Sequence, residues 1–277
     1  METIEKRRDR FKALHSDRRA FLMPNPFDIG STRILEGLGF EAVATTSAGH
    51  AFTLGCKDVE GWITRDLALA HAQEIIGATT LPVNGDLENG FGDAPEDVAE
   101  TIKGAIEVGL AGCSIEDYTG DPKQPFYDRE LAVERIKAAV DVKNRLAPNF
   151  VLTARSEAPI QSGHELEEAA TRLKAYHAAG ADCIYAPDLA EKDQIETIVR
   201  AIDAPLNILA SRRKFHMTRK ELADIGVARV SIGAGLARIA YGAFMAAAED
   251  IKGGGSFGCF DRASRYTAFD AFLKTRI

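Results

Sequence analysis

Short apolar runs alternate with amphipathic stretches along nearly the whole chain. The runs are rich in β-branched and small residues, as strands are, and lie at residues 20–25, 42–47, 81–88, 111–117, 150–157, 183–188, 205–210 and 229–234. Between them, apolar residues recur with the period of a helix, as at Val98, Ile102 and Ala105. Glycines such as Gly109 and Gly180 follow these stretches, where helices commonly end. The pattern predicts eight strand–helix units after an N-terminal helix.

Regular alternation of strands and helices requires parallel strands joined by crossover helices. Eight units close most simply into a (β/α)8 TIM barrel, and 277 residues fit such a barrel, which usually has about 250. An open, doubly wound sheet is the alternative, but no phosphate-binding G-x-G-x-x-G follows an early run here. We therefore predict an α/β protein with a single barrel domain over residues 1–277.

The C-terminal end departs from the barrel pattern. Gly253–Gly255 predicts a hinge, and Tyr266, Phe269 and Phe272 follow it at helical spacing. We expect residues 253–277 to form a hinge and a C-terminal helical extension. Such a helix can swap between subunits or pack back on its own barrel, and both arrangements remain open. A swap would give a homo-oligomer, a dimer or a tetramer.

Charge and composition exclude several partners. The net charge of −7 and the lack of a long basic run argue against nucleic-acid binding. No apolar stretch approaches the roughly 18 residues of a membrane span, and the charged N-terminus does not resemble a secretion signal. The four cysteines are far apart and form no CxxC pair. We expect a cytoplasmic protein with free thiols and a small-molecule partner.

In TIM barrels the chemistry lies at the carboxyl ends of the strands. Here the third run ends in VNGDLENGFG, with Asp86 and Glu88 two residues apart, and the fourth ends in Glu116 and Asp117. If the third strand extends to Glu88, both of its acids point to the same side. Close carboxylates disfavour each other's ionised form unless a cation lies between them. Because oxygen ligands without histidine or cysteine favour Mg²⁺ or Mn²⁺, we predict such a metal site.

Other strand ends carry residues suited to a carboxylate substrate. Arg155 ends the fifth run, and its planar fork can pair with a substrate carboxylate or a developing oxyanion. The second run ends in Ser47, Ala48 and Gly49, small residues that let backbone N–H groups approach a substrate. Asn207 in the seventh run is a further candidate for substrate binding.

Three further residues near these strand ends are candidates, and for two of them the sequence leaves two interpretations open. Asp58, in a turn after the second run, is either another carboxylate of the site or an ordinary turn aspartate. His50, at the same mouth, is either a proton donor or a plain loop residue. Tyr118 can donate a proton as well, provided that its pKa is lowered.

The segments around these residues resemble the isocitrate lyase and phosphoenolpyruvate mutase superfamily. They run from PNPFDIGSTRILEGLGFEAVATTSAG through GDLENGFGDAPEDVAETIKGAIEVGLAGCSIED and LTARSEA to GADCIYAPDL and ARVSIGAGL. The family pattern after the third strand resembles D-x-D-x-G-[YF]-G, and DLENGFG matches it with Glu88 in place of the second aspartate. The resemblance implies a TIM-barrel enzyme that uses Mg²⁺.

The resemblance also implies roles for individual positions. Asp86 would be the principal Mg²⁺ ligand, and Glu88 and Glu116 would complete the acidic shell, partly through water. Asp58 matches the family's acidic residue after the second strand, and Arg155 matches the arginine that binds the substrate's carboxylate or oxyanion. The family's backbone donors to the carboxylate match Ser47, Ala48 and Gly49. The implied chemistry runs through a metal-bound enolate of a small oxo acid, formed when a C–C or C–P bond breaks.

The lid after the fourth strand departs from the family. Lyases of the superfamily carry a K-K-C-G-H type motif there, whose cysteine protonates the product, whereas this chain has EDYTGDPKQPFYDRE. Lys123 matches a lysine of the mutase branch and is a catalytic candidate, with a solvated loop lysine as the alternative.

Three functions follow from this combination. The first is a Mg²⁺-dependent lyase that cleaves or decarboxylates a small 2-oxo or 2-hydroxy carboxylate. The second is C–P chemistry of the phosphoenolpyruvate mutase or phosphonopyruvate hydrolase type, for which the lid supplies Lys123, Gln124 and Arg129. The third is a protein that binds an oxo acid without catalysis.

Overall fold

The computed structural model describes residues 2–58, 62–160, 162–213 and 215–273. Eight parallel strands form one sheet, in the order β1-β8-β7-β6-β5-β4-β3-β2. The strands are β1 Phe21–Met23, β2 Val43–Ala44, β3 Val83–Asp86, β4 Gly112–Glu116, β5 Val151–Arg155, β6 Cys183–Tyr185, β7 Leu206–Leu209 and β8 Arg229–Ser231. Each strand lies within one of the eight runs predicted from the sequence.

The sheet closes on itself between the ends of β1 and β2. The backbone N–H of Ala44 donates to the carbonyl of Pro24 at 3.0 Å, and the side-chain amide of Asn25 donates to the carbonyl of Thr45 at 2.8 Å. Sequential strand order and this closure are the geometry of a (β/α)8 barrel. The predicted TIM barrel is confirmed, and the doubly wound sheet is excluded.

Helices follow the strands around the outside of the barrel. In the described part of the chain they are α1 Ile4–Ser16, α2 Ile29–Gly37, α3 Ser47–Thr53, α4 Arg65–Ala78, α5 Pro95–Glu107, α6 Arg129–Leu146, α7 Gly163–Ala178, α8 Lys192–Ala201, α9 Arg219–Ile225, α10 Gly235–Gly254 and α11 Tyr266–Asp270. Helix α1 contributes Phe11 and Leu14 to an apolar cluster with Phe21 and Met23 of β1. This packing closes the amino-terminal end of the barrel, so the opposite end is left for chemistry. No helix of the described residues is both long and apolar enough to cross a membrane.

Strand β3 is shorter than predicted, and this changes the geometry of its acids. The strand ends at Asp86, and Glu88 follows in a turn with φ of 48°, in the left-handed region. The expectation that Asp86 and Glu88 share one side of a continuous strand was therefore wrong. The two carboxylates reach the same end of the barrel by a different route, because the turn redirects the chain after Asp86.

The C-terminal region also differs in detail from the prediction. Helix α10 continues through Gly253 and Gly254, and only Gly255, with φ of 62°, ends it. A 3₁₀ turn at Gly258–Arg262 and helix α11 follow. A Cβ atom on Gly37 of α2 would overlap the ring of Phe272, so this segment packs on its own chain here. A swap between subunits stays a prediction, and residues 274–277 of the predicted extension lie outside the described residues.

Candidate active site

A cavity of about 410 Å³ opens at the carboxyl ends of β2 to β5. It is lined by Ser47, Asp58, Glu88, Glu116, Tyr118, Gly120, Pro122 and Arg155. Six of these, all except Gly120 and Pro122, are residues that the sequence marked as candidates. A neighbouring cavity of about 700 Å³ shares Glu88 and Gly120 with it. The mouth of the barrel is therefore one acidic recess with a side extension.

Arg155 is the electrostatic centre of this recess. Its guanidinium lies 3.1 Å from the carboxylate of Glu116 and 3.4 Å from that of Asp86, and its Nε donates to Glu157. Burial opposes its charge, but Glu116 and Glu157 raise the pKa of Arg155 well above its ordinary value. The guanidinium also lies 5.2 Å from the centre of the Tyr185 ring, a cation–π distance. Arg155 therefore stays protonated and offers a fixed positive charge at the cavity wall.

Asp86 connects the end of β3 to the start of α3. One of its carboxylate oxygens accepts hydrogen bonds from both the backbone N–H and the hydroxyl of Ser47, each at 3.0 Å. The backbone N–H of Asp86 donates to the hydroxyl of Thr45 at 2.8 Å. The start of α3 is held further by Thr46, whose hydroxyl accepts the N–H of Gly49 at 3.2 Å. These bonds use the N–H groups of Ser47 and Gly49, so their role as donors to a substrate, with Ala48, stays a prediction.

The turn that carries Glu88 is held by hydrogen bonds from the side chain of Arg135. This buried guanidinium donates to the carbonyls of Asn89 and Asp93 and, at 2.7 Å, to that of Gly92. The Tyr127 ring lies 4.1 Å from Arg135 and its hydroxyl accepts a bond from the Asn89 amide at 3.1 Å. Sequence reasoning missed Arg135 and Tyr127, because they lie some forty residues after the turn and no local motif links them to it.

The glycines of DLENGFG have separate reasons to be glycines. Gly90 has φ of 89°, which L side chains rarely adopt. A Cβ atom on Gly92 would overlap the carboxyl group of Asp97 in α5. The interpretation of these glycines as a tight turn at the mouth is confirmed for Gly90 by its backbone conformation and for Gly92 by the close approach of α5.

The donor set fits a hard divalent cation with few direct protein ligands. Within the described residues, no three or more histidine, cysteine, aspartate or glutamate side chains are arranged to hold a metal ion. Mg²⁺, however, is usually held by one or two carboxylates together with waters and substrate oxygens. Glu88 and Glu116 line the recess and are both nearly buried, and Asp86 is joined to its wall through Ser47 and Arg155. The chemistry of these residues therefore fits Mg²⁺ or Mn²⁺ and not a thiol- or imidazole-preferring metal.

Asn207 and Lys123 are sequence candidates that do not line the cavity. Asn207 is buried inside the barrel, where its amide accepts from Arg229 and donates to Ser231, each at 2.9 Å. Lys123 is exposed on the lid, one residue beyond the lining residue Pro122. The substrate-binding role of Asn207 and the catalytic role of Lys123 stay predictions.

His50 lies on the far side of α3 from the recess. Its ring stacks on that of His71 at 3.9 Å and borders a separate cavity of about 480 Å³. Burial lowers the pKa of His50 and lowers that of His71 to about 4. His50 is thus placed with His71 and not with the carboxylates of the recess.

The lid between β4 and α6 is an ordered hairpin-like loop. Tyr118 forms an antiparallel bridge with Phe126, and the backbone N–H of Thr119 donates to the carbonyl of Pro125 at 2.9 Å. The hydroxyl of Thr119 closes the loop further by donating to the carbonyl of Gln124 at 2.6 Å. The loop presents Tyr118, Gly120 and Pro122 to the cavity.

Family, sequence and structure comparisons all relate the chain to the same group of proteins. Residues 11–252 match the phosphoenolpyruvate phosphomutase family. The 2-methylisocitrate lyase of Shewanella oneidensis is 37% identical over 216 residues, which cover 74% of this chain and 71% of that protein. A Burkholderia cenocepacia J2315 protein, provisionally described as a lyase/mutase, is 44% identical, with a TM-score of 0.92 over 96% of this chain and 95% of that one.

A further solved structure, oxaloacetate acetylhydrolase with its product oxalate, is 26% identical. It has a TM-score of 0.85 over 96% of this chain and 94% of that one. The named relatives act on small carboxylates. The chain belongs to the phosphoenolpyruvate phosphomutase family, within the isocitrate lyase/phosphoenolpyruvate mutase superfamily of enzymes.

Proposed function

We propose that the chain is a Mg²⁺- or Mn²⁺-dependent lyase that acts on a small 2-oxo or 2-hydroxy carboxylate by C–C bond cleavage or decarboxylation. The observation that carries this proposal is the arrangement of Arg155 among Asp86, Glu116 and Glu157 at the wall of an acidic cavity. An anionic substrate needs both a cation to bind it and a means of neutralising the nearby carboxylates. The metal and Arg155 together meet both needs.

The residues of the recess have different roles in metal binding and substrate binding. Asp86, Glu88 and Glu116 would hold the metal, the latter two partly through water, and Asp58 adds a further carboxylate at the rim. When bound, the metal supplies Lewis acidity toward the carboxylate and 2-oxygen of the substrate. Arg155 orients the substrate carboxylate and stabilises negative charge that develops on oxygen as the bond breaks. Ser47 and Asp86 fix each other, which keeps this wall in place before substrate arrives.

C–P chemistry is the second candidate, because the family match itself carries a phosphomutase description. A phosphoryl group enclosed by the lid would need cations there. The lid residues that line the cavity are Tyr118, Gly120 and Pro122, and Arg129 pairs with Glu168 at 2.7 Å. This lining favours C–C cleavage. Non-catalytic binding is the least supported function, since the named relatives are enzymes.

We also propose that copies of the chain associate through α10. Its residues Ile239, Phe244 and Met245 are each more than half exposed, which is unusual for large apolar side chains on one helix. Light scattering after size exclusion should give a dimer or tetramer, and Phe244→Glu should dissociate it. A wild-type monomer at micromolar concentration would contradict the association.

A substrate screen tests the main proposal. Metal-stripped protein is incubated with and without Mg²⁺ and a panel of 2-hydroxy di- and tricarboxylates, oxaloacetate and phosphonopyruvate, and the products are followed by ¹H and ³¹P NMR. The expected result is Mg²⁺-dependent cleavage of one of the carboxylates, abolished in Arg155→Gln and retained in Arg200→Gln, an exposed arginine on α8. Turnover of phosphonopyruvate alone would replace the proposal with the second candidate.

A further inference from the structure

C–C cleavage leaves a carbanion-like fragment that must receive a proton, and the lid lacks the cysteine that the family's lyases use for this. Another residue of the cavity must therefore donate this proton. In their ionised form, the lining carboxylates of Asp58, Glu88 and Glu116 only accept hydrogen bonds. The lining side chains that carry a hydrogen-bond donor are those of Ser47, Tyr118 and Arg155.

Two of these three side chains have other roles. The hydroxyl of Ser47 donates to Asp86 at 3.0 Å, where it helps to position a metal-ligand candidate. Arg155 is held protonated by the surrounding carboxylates, and an arginine does not give up its proton in proteins. Tyr118 remains as the lining residue whose proton is available.

Among the described residues, no cysteine or histidine lines this cavity. Cys113 and Cys183 are fully buried in strands, and burial raises the pKa of both thiols. Cys56 packs against the core, with its thiol directed to the carbonyl of Leu54. His50 faces a different cavity together with His71.

Tyr118 is also held where a proton would be needed. It follows Asp117, whose backbone N–H donates to the carbonyl of Arg155 at 3.1 Å and whose side chain accepts the Glu157 N–H at 2.8 Å. On its other side, the bridge to Phe126 and a ring–ring distance of 6.2 Å fix the start of the lid. Tyr118 is thus anchored between Arg155 and the lid, two residues beyond the metal-ligand candidate Glu116.

We propose that Tyr118 is the catalytic acid that protonates the carbon released by C–C cleavage; this rests on the lyase function proposed above. For a 2-hydroxy acid, the C2–C3 bond breaks, C2 becomes a carbonyl carbon and the electron pair passes to the fragment that carries C3 as an enolate. For a 2-oxo diacid, the bond to the leaving carboxylate breaks, CO₂ departs and the electron pair stays on C3 as the enolate of the oxo acid. The phenol O–H bond then breaks as the new C–H bond forms, and water entering the open cavity reprotonates the phenolate. For a 2-hydroxy acid, the hydroxyl proton passes to a carboxylate of the recess and then to water, so that protons balance. The phenol O–H of a tyrosine is a proton donor of the kind that general acid catalysis uses.

Tyr118→Phe tests this role, because it keeps the ring that packs near Phe126 and removes only the hydroxyl. Tyr266→Phe, at a residue that is 91% exposed near the C-terminus, is the matched control. With the carboxylate that the wild type cleaves, kcat of Tyr118→Phe should fall about 10²- to 10⁴-fold with little change in KM. Circular dichroism and the thermal midpoint check that the variant is folded.

The stereochemistry of proton delivery is the readout that a structural role would not change. In D₂O the wild type and Tyr266→Phe should place one deuterium on the released carbon in a single configuration. Tyr118→Phe should give mixed configurations, because water then protonates both faces. If Tyr118→Phe retains kcat and the single configuration, Tyr118 is not the acid, although the lyase function stands. If the wild type neither cleaves any carboxylate of the panel nor exchanges the α-protons of oxo acids, both proposals fail together.

Discussion

Two arginines lie inside this barrel, and they are held in opposite ways. Arg155, at the carboxyl end, has a side chain that is 21% exposed and contacts the carboxylates of Asp86, Glu116 and Glu157. Arg229, near the amino-terminal end, is 1% exposed and bonds to neutral groups. Its partners are Asn207 at 2.9 Å, Thr153 at 3.0 Å and the Nε2 of His15 at 3.1 Å.

The difference separates an arginine of the candidate active site, Arg155, from an arginine that stabilises the interior of the barrel, Arg229. Around Arg229 each hydrogen bond is satisfied by a neutral acceptor, and the ring of His15 is fixed because its Nδ1 lies 2.8 Å from the carbonyl of Phe11. Nδ1 must donate there, so Nε2 accepts from Arg229. Around Arg155 there is an excess of negative charge and an open cavity, an arrangement that is useful only when a cation and an anionic ligand arrive. The charges and the open space around a buried arginine therefore indicate whether it serves function or stability.

Replacing each arginine with methionine should affect different properties. In Arg155→Met, kcat/KM should fall about 10²- to 10³-fold, because a charge that stabilises the developing oxyanion is lost. The measurement is steady-state kinetics with the carboxylate identified by the screen, and Arg200→Met is the control. Activity within tenfold of the wild type would remove Arg155 from the mechanism.

Arg229→Met should instead lower stability. The free energy of unfolding should fall by about 3 kcal/mol, because Asn207, Thr153 and His15 lose a charged partner in a buried place. Urea unfolding measures this change, and the folded fraction should retain kcat within a few-fold. A stable Arg229→Met with activity as low as Arg155→Met would erase the distinction between the two regions.

Acid should lower the free energy of unfolding through His15, the partner of Arg229 near the amino-terminal end of the barrel. Burial, and then the nearby charge of Arg229, lower the pKa of His15 to about 3. Between this value and the ordinary 6.5, the unfolded chain binds a proton that the folded chain does not. His15 therefore contributes its full stability above about pH 6.5 and loses it as the pH falls, by roughly 2–3 kcal/mol at pH 4.5.

His15→Gln sharpens that prediction, because glutamine can still accept from Arg229 but does not titrate. Urea unfolding from pH 7 to 4.5 should show a shallower loss in this variant, with the remaining slope including His71, whose pKa is lowered to about 4. An unchanged slope would mean that His15 is not buried as a neutral ring.

The smallest effect is expected in the turn at the mouth. Gly92→Ala should lower the free energy of unfolding by about 1–2 kcal/mol and raise KM, because the new methyl group displaces α5 or the turn that carries Glu88. Gly163→Ala is the control, since a methyl group there meets open space. Equal effects of the two substitutions would show that the turn tolerates movement.

Features that depend on local signals can be predicted from the sequence, whereas features that depend on long-range contacts cannot. Eight strands and the acidic mouth follow from periodicity and from the residues at each strand end, because those signals are local. Asn207 looked like a site residue for the same reason, but its partner Arg229 begins the next strand and draws it into the interior network. Arg135 beneath the Glu88 turn was missed because that contact is long-range. The conformation of the lid, which places Tyr118 and not Lys123 in the cavity lining, also depends on bonds across the loop.

Metal binding tests the central claim most directly. Titration of Mn²⁺ into the wild type, Asp86→Asn and the surface control Asp224→Asn, followed by electron paramagnetic resonance with and without oxalate, requires no knowledge of the substrate. We predict one Mn²⁺ per wild-type chain, tighter binding with oxalate, the same behaviour in Asp224→Asn, and an affinity at least about 100-fold weaker in Asp86→Asn. Equal Mn²⁺ affinity in all three proteins, or no binding to the wild type even with oxalate, would contradict the account of the acidic recess as a metal-dependent active site.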